Sequence, residues 1–259
     1  MEKDVVDNKI IEDKNYNKIN EILKNSSAKI KYIYKECYSK RKTEGDTMAT
    51  PKQLYYDKRA QVLVKNLKSR HFDAWYCENK AAALEKALEL IPEGASVGWG
   101  GAMSCGEIGL IDALKDGNYR AMDRTLAKTA EEREQMMHDM LHADVFLTGA
   151  NGLSLDGQMV NIDGNGNRVG MIVYGPKNII VVAGMNKVCA TLEDAVKRAR
   201  TVAAPMNQQR FGLPNPCTCT GVCADCLSES SICNQILITR NCKPAGRIKL
   251  VLVGEELGF

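Results

Sequence analysis

Cys217, Cys223, Cys226 and Cys233 follow the spacing C-x5-C-x2-C-x6-C, with Cys219 inserted and Cys242 farther on. Thiols gathered this way in a reducing compartment most often bind zinc or an iron–sulfur cluster, because thiolate is a soft ligand suited to both. The C-x2-C core carries most of that signal. The outer spacings match neither common ferredoxin pattern, so spacing alone leaves zinc open, as it does a metal-free thiol cluster or redox pair. Cys37, Cys77, Cys105 and Cys189 are isolated in sequence and read as structural. Cys105 lies in a Gly-rich loop, which makes it the lone thiol to test for reactivity.

A second set of residues sits in "GANGLSLDGQMVNIDGNGNRVG", Gly149 to Gly170, between the apolar runs "DVFLT" and "MIVYG". A loop that only turns a corner needs one or two Gly or Asn residues, and this one holds many more. Asp156-Gly157 reads as the turn of a hairpin. Asn151, Asp163, Asn165, Asn167 and Arg168 then fall on loops of low bulk, where backbone can approach a ligand and Arg168 can grip a carboxylate or phosphate through two hydrogen bonds. Lys177 precedes the next apolar run, and Asn186 and Lys187 follow it. Upstream, "ASVGWGGAMSCGEIGL" is a strand, a Gly-rich loop and a helix, placing Gly100, Gly101 and Ser104 where backbone N–H groups can meet an anion. Glu107 in the same stretch reads as a helix cap or a general base. Together the loops 100–107, 149–152, 163–168 and 184–187 are expected to wall a pocket for a small anionic molecule. No spacing here matches a dinucleotide fingerprint, a P-loop or a flavin site. His138 and His142 are four apart on a helix but lack the Glu of a metalloprotease motif, so they read as a helix face.

The elements that must position these residues alternate. Helical patterns cover "LYYDKRAQVLVKNLKSR", "NKAAALEKALELI" after an Asn79 cap, "CGEIGLIDALKDG" ended by Gly117, "AEEREQMMHDMLHA" behind a Thr129–Glu132 capping box, and the stretch from Thr191 through "LEDAVKRARTVAA". Strand patterns cover "FDAWYCE", "ASVGWG", "YRAMD", "DVFLTGA", "RVGMIVYG", "NIIVVAG" and "RIKLVLVG". This order predicts a single α/β domain around a mostly parallel sheet with flanking helices.

The chain has 259 residues, 44% hydrophobic and 26% charged, which is ordinary for a globular protein. A net charge of +3 does not call for nucleic acid or a membrane surface as partner. No apolar run approaches the ~20 residues of a membrane span, and the charged start lacks a signal peptide's apolar core, so a cytoplasmic location is expected. There the ten cysteines stay reduced unless a metal holds them. Residues 1–47 form a Lys- and Asn-rich stretch ahead of "EGDTMATPKQ". Glu44-Gly45-Asp46 can be encoded by a ribosome-binding sequence, which predicts Met48 as the natural start and 1–47 as a translated leader; the alternative is a helical extension.

"ADVFLTGANGLSLDGQMVNIDGNGNRVGMIVYGPKNIIVVAGMNKV", "ARTVAAPMNQQRF" and "PCTCTGVCADCLSESSIC" together resemble the lactate-utilization (LUD) domain family, from about Met48 to Phe259. The resemblance implies a fold like that of ribose-5-phosphate isomerase, glucosamine-6-phosphate deaminase and the CoA-transferases. It implies a role in oxidation of lactate to pyruvate beside iron–sulfur redox proteins, and its redox setting favours [4Fe–4S] over zinc at the cysteines. It assigns no catalytic residue. The other functions open at this point are a sugar-phosphate or acyl-CoA enzyme, isomerase or transferase, and a non-catalytic ligand sensor.

Overall fold

Ten strands fall into two sheets in the computed structural model, which describes residues 50–259; the expected leader lies outside the described residues. The larger sheet holds β1 (Asp73–Cys77), β2 (Ser96–Trp99), β3 (Arg120–Met122), β4 (Val145–Thr148), β7 (Asn178–Gly184) and β10 (Ile248–Val253) in the order β1-β10-β7-β4-β2-β3. Every pairing in it is parallel. The smaller sheet runs β8 (Val188–Cys189), β5 (Gly152–Ser154), β6 (Met159–Asp163), β9 (Gln235–Thr239). The helices are α1 (Pro51–Ser69), α2 (Lys80–Glu89), α3 (Met103–Glu107), α4 (Leu110–Asp116), α5 (Ala130–Asp139), α6 (Asn167–Tyr174), α7 (Leu192–Arg198), α8 (Ala204–Gln209) and α9 (Pro216–Thr220).

The central strands are continuous apolar runs because both faces of a parallel sheet are covered. Period-two alternation divides them. Phe146, Ile179, Val181, Ala183, Leu250 and Leu252 join Leu63 and Leu67 of α1 in one core. Val145, Leu147, Ile180, Val182, Val251 and Val253 join Ala83 and Ala87 of α2 and Leu110 and Leu114 of α4 in the other. Each large side chain fully withdrawn from water contributes roughly 1.5–3 kcal/mol, so these two layers hold the strand ends rigidly in place. The expected α/β sheet with flanking helices is what the chain forms.

Local chemistry sets the helix ends. Asn79 Oδ1 accepts from the Ala82 N–H at 3.0 Å and starts α2. Thr191 and Asp194 form a complete capping box at α7. At α5 only half of the expected box is present: Thr129 accepts from the Glu132 N–H at 3.1 Å, while the Glu132 carboxylate takes the Lys128 N–H instead. The Asp156-Gly157 turn closes the β5–β6 hairpin, with Gly157 at φ +93°.

Three sequence expectations are corrected, and one strand is added. "RVGMIVYG" is the helix α6 rather than a strand: Arg168, Met171 and Ile172 are buried at helical spacing while Val173 and Tyr174 face outward. The helix expected over 105–117 breaks at Gly109, whose φ of +80° belongs to the left-handed region. The Thr191 helix runs on to Gln209, passing Pro205 through a π turn at Ala199–Ala203. That wider turn relieves the clash a helical proline makes one turn back. Strand β9 was not anticipated, because "QILIT" is too short to separate from a loop before its partner β6 is known.

Candidate functional site

Neighbouring strands β2 and β4 send their chains in opposite directions, β2 toward the edge strand β3 and β4 back toward β7. A crevice outside the carboxyl ends of the strands at such a switch point is where open α/β sheets bind ligands. The loop after Trp99, the loop after Thr148 and the turn after β7 meet at this end of the sheet, through Lys187 on Ser104, Arg168 on Asn151 and Gly101 on Arg168. Gly101 sits at φ +60°, and a Cβ on it would lie 3.3 Å from Arg168 Nη1, so glycine lets this loop rest on the guanidinium. Arg168 is 7% exposed. Its Nη2 donates to Asn151 Oδ1 at 2.9 Å and to the Ile162 carbonyl, and it pairs with Asp163 Oδ1 at 3.3 Å. Asp163 Oδ2 in turn accepts from the Val169 N–H at 3.0 Å, closing the first turn of α6. One edge of Arg168 is thus spent on structure, while Nη1 carries no bond among the described residues and faces Gly101.

Lys187 is the second cation. It ends the turn after β7, is only 4% exposed, and donates to Ser104 Oγ at 3.1 Å. Burial is the main force lowering its pKa from 10.5 to about 8, and the charges of Arg198 and Arg168 push the same way; Glu107 pulls against them. Arg198, on α7, is the third. Its Nη1 donates to the Asn151 carbonyl at 2.6 Å and to an oxygen of Phe259 at 3.3 Å, and its Nε donates to the Asn186 carbonyl at 3.2 Å. The segment 254–259 forms the remaining wall. Asn186 Nδ2 donates to the Leu257 carbonyl at 3.4 Å, its Oδ1 accepts from the Leu257 N–H at 3.2 Å, and the Glu107 carboxylate accepts from the Gly258 N–H.

Gly100, Gly101, Ser104, Asn151, Asp163, Arg168, Asn186 and Lys187 are therefore brought to one end of the sheet. Lys177 is not: it is exposed and precedes β7, at the amino edge of a parallel sheet whose crevice is at the carboxyl edge. Asn165 is exposed, and Asn167 opens α6 with its Nδ2 at 4.0 Å from Met137 Sδ, so neither joins the cluster. Glu107 is the last residue of α3, not in its first turn, so it caps no helix and instead anchors Gly258. Cys105 is fully buried beside the Thr148 carbonyl, and burial pushes its thiol up to about 12, which removes it as a reactive thiol at neutral pH. Arg198 and residues 254–259 escaped the sequence reading. Arg198 could have been found from its spacing, since it follows the buried Ala195 by three and precedes the buried Ala199.

The four spaced cysteines do come to one place. Cys217, Cys223, Cys226 and Cys233 line a single cavity of about 230 Å³ between α8, α9 and the following loop. Burial raises the Cys217 thiol, and the other three lie near enough to raise it further. Cys219, two residues along α9 and so about 200° around it, is exposed and off this wall. Cys242 is buried in the main core, with its sulfur on the Pro244 carbonyl, and does not line this cavity.

These features define a parallel α/β protein with a cationic cluster at the strand ends and a thiol-lined cavity beside its second sheet. The chain belongs to the LUD domain family, whose profile matches residues 60–253. That membership suggests a role related to lactate utilization. No curated protein matches the chain. Among solved structures, a DUF162 family protein from Deinococcus radiodurans is similar over 76% of this chain and 97% of that one, at 12% identity and a TM-score of 0.45. No helix among the described residues is long and apolar enough to cross a membrane.

Proposed function

We infer that this protein binds a small monocarboxylate of the lactate–pyruvate class at the Arg168–Lys187–Arg198 cluster, as a component of lactate-to-pyruvate oxidation that works with iron–sulfur redox partners. The observation supporting this reading is the charge balance of the crevice. Three buried or half-buried cations gather there: Arg168 pairs with Asp163, Lys187 feels the charge of Glu107, and Arg198 lies 3.3 Å from an oxygen of Phe259. Buried charge is stable only when paired, and Lys187, whose Nζ donates to the neutral Ser104 hydroxyl and forms no ion pair among the described residues, is the cation that calls for an anionic charge. A monocarboxylate supplies that charge, whereas a phosphate dianion exceeds it. Arg168 Nη1, Lys187 Nζ and Ser104 Oγ are the groups available to hold the ligand. Glu107 has its carboxylate on the Gly258 backbone, so a part in proton transfer would first require that bond to open.

The competing readings, a sugar-phosphate or acyl-CoA enzyme and a ligand sensor, differ in ligand charge or in turnover. Thermal-shift measurements with lactate, pyruvate, ribose 5-phosphate and coenzyme A separate the ligands, because a ligand at 100 times its Kd stabilises the native state by about 2.7 kcal/mol. Lactate or pyruvate is expected to raise Tm and the phosphorylated compounds to leave it unchanged. Stabilisation by ribose 5-phosphate or coenzyme A alone would transfer the site to the isomerase or transferase reading.

A further inference from the structure

Gln208, on α8, is 1% exposed and faces the cysteine-lined cavity, yet neither its Oε1 nor its Nε2 has a hydrogen-bond partner among the described residues. A buried amide left unmet on both sides is uncommon in a native fold and points to something absent from the cavity. The surrounding donors are four thiols, the ligand type of zinc and of iron–sulfur clusters. Size separates the two. Zinc holds thiolates at ~2.3 Å, which puts the sulfurs of a tetrahedral site only ~3.8 Å apart. Among the described residues no hydrogen bond or disulfide joins any two of these thiols. They stand instead around a space of about 230 Å³, several times the ~30 Å³ of a water molecule. A guest that reaches all four walls is larger than one ion.

We propose that Cys217, Cys223, Cys226 and Cys233 bind a [4Fe–4S] cluster in this cavity. Each thiol gives its proton to solvent and its sulfur to one iron, so four thiols complete the four irons of the cluster. The Gln208 amide then has a partner, its N–H donating to a cluster sulfur. Ser231 Oγ, 3.1 Å from Cys233 Sγ, supplies a second hydrogen bond to the ligand shell. Arg200 on the wall is paired with Asp225 and so holds the C-x2-C loop in place. Asp225, between Cys223 and Cys226, adopts φ +52° and so turns the C-x2-C loop within two residues.

The test is to purify the full chain without oxygen, or reconstitute it with ferrous iron and sulfide, and measure iron, sulfide, zinc and visible absorption. About four irons and four sulfides per chain are expected, with brown colour. Alkylation of the loaded wild-type protein followed by mass spectrometry should label the exposed Cys219 and spare the four ligands, a readout that needs no variant to fold. Cys223→Ser should lose most of the iron and Cys219→Ser should keep it. Gln208→Leu should keep the iron but move the reduction potential to more negative values. One zinc and no iron overturns the cluster. So does metal-free protein with all four thiols open to alkylation, or equal iron loss from Cys219→Ser and Cys223→Ser.

Discussion

Lys187→Met is expected to stabilise the protein at pH 7 by about 2 kcal/mol and to abolish carboxylate binding. The lysine's pKa is lowered from 10.5 to about 8, chiefly by burial, so the folded state resists its charge. A difference of that size costs the native state about 3 kcal/mol when the lysine is protonated. Because the folded pKa is below the unfolded one, the cost is absent above pH ~10.5, grows as pH falls toward 8 and is constant below. Methionine fills a similar volume and removes that cost. It also leaves Ser104 Oγ without its donor, which takes back about 1 kcal/mol. Chemical denaturation at pH 7 and pH 10.5 measures the gain, which should turn into a loss of up to about 1 kcal/mol at the higher pH, where only the missing Ser104 bond remains. A less stable variant at pH 7 would mean that Lys187 is held by a countercharge rather than strained by burial. A site that binds its ligand better than it folds is the usual pattern for function against stability.

Gly184→Ala should destabilise the chain by about 3 kcal/mol, the upper end for an overpacked core. The new Cβ would lie 2.5 Å from the Glu255 carbonyl, the Leu257 nitrogen and Asn186 Oδ1. Two of these are backbone atoms, so the segment 255–257 must move, taking the fully buried Leu257 and both Asn186 bonds with it. For a chain this size the loss corresponds to a fall in Tm of roughly 6–12 °C. Gly170→Ala is the control. It lies within α6, nothing stands within 4 Å of its Cβ, and alanine suits a helix better, so Tm should hold or rise. Equal Tm values for the two variants would contradict the packing of 254–259 against β7.

The parallel sheet was legible in sequence because its strands are buried on both faces and carry their own signature, from "DVFLT" to "RIKLVLVG". Local caps at Asn79 and Thr191 were legible for the same reason: their partners lie three residues away. What sequence could not supply was direction. Lys177 and Lys187 flank the same strand, and only parallel pairing shows that one end faces the crevice and the other faces away. Arg168 stands out in the sequence, but its pairing with Asp163 and Asn151 does not, since that depends on α6 being a helix. "RVGMIVYG" hides that helix behind β-branched residues and Gly170. Residues 254–259 gave no sign at all, because their link to Asn186 and Glu107 spans long separations in the chain.

Calorimetric titration of the full chain with pyruvate, at pH 7 and again at pH 9.5, tests the cationic crevice most directly. A carboxylate pairs with Lys187 only when the amine is protonated, and that state is lost as pH rises through about 8. Binding is expected at pH 7, weakened about tenfold or more at pH 9.5, with protons taken up on binding near pH 8. No binding at pH 7, or an affinity unchanged between the two pH values, would contradict a carboxylate site built on Lys187.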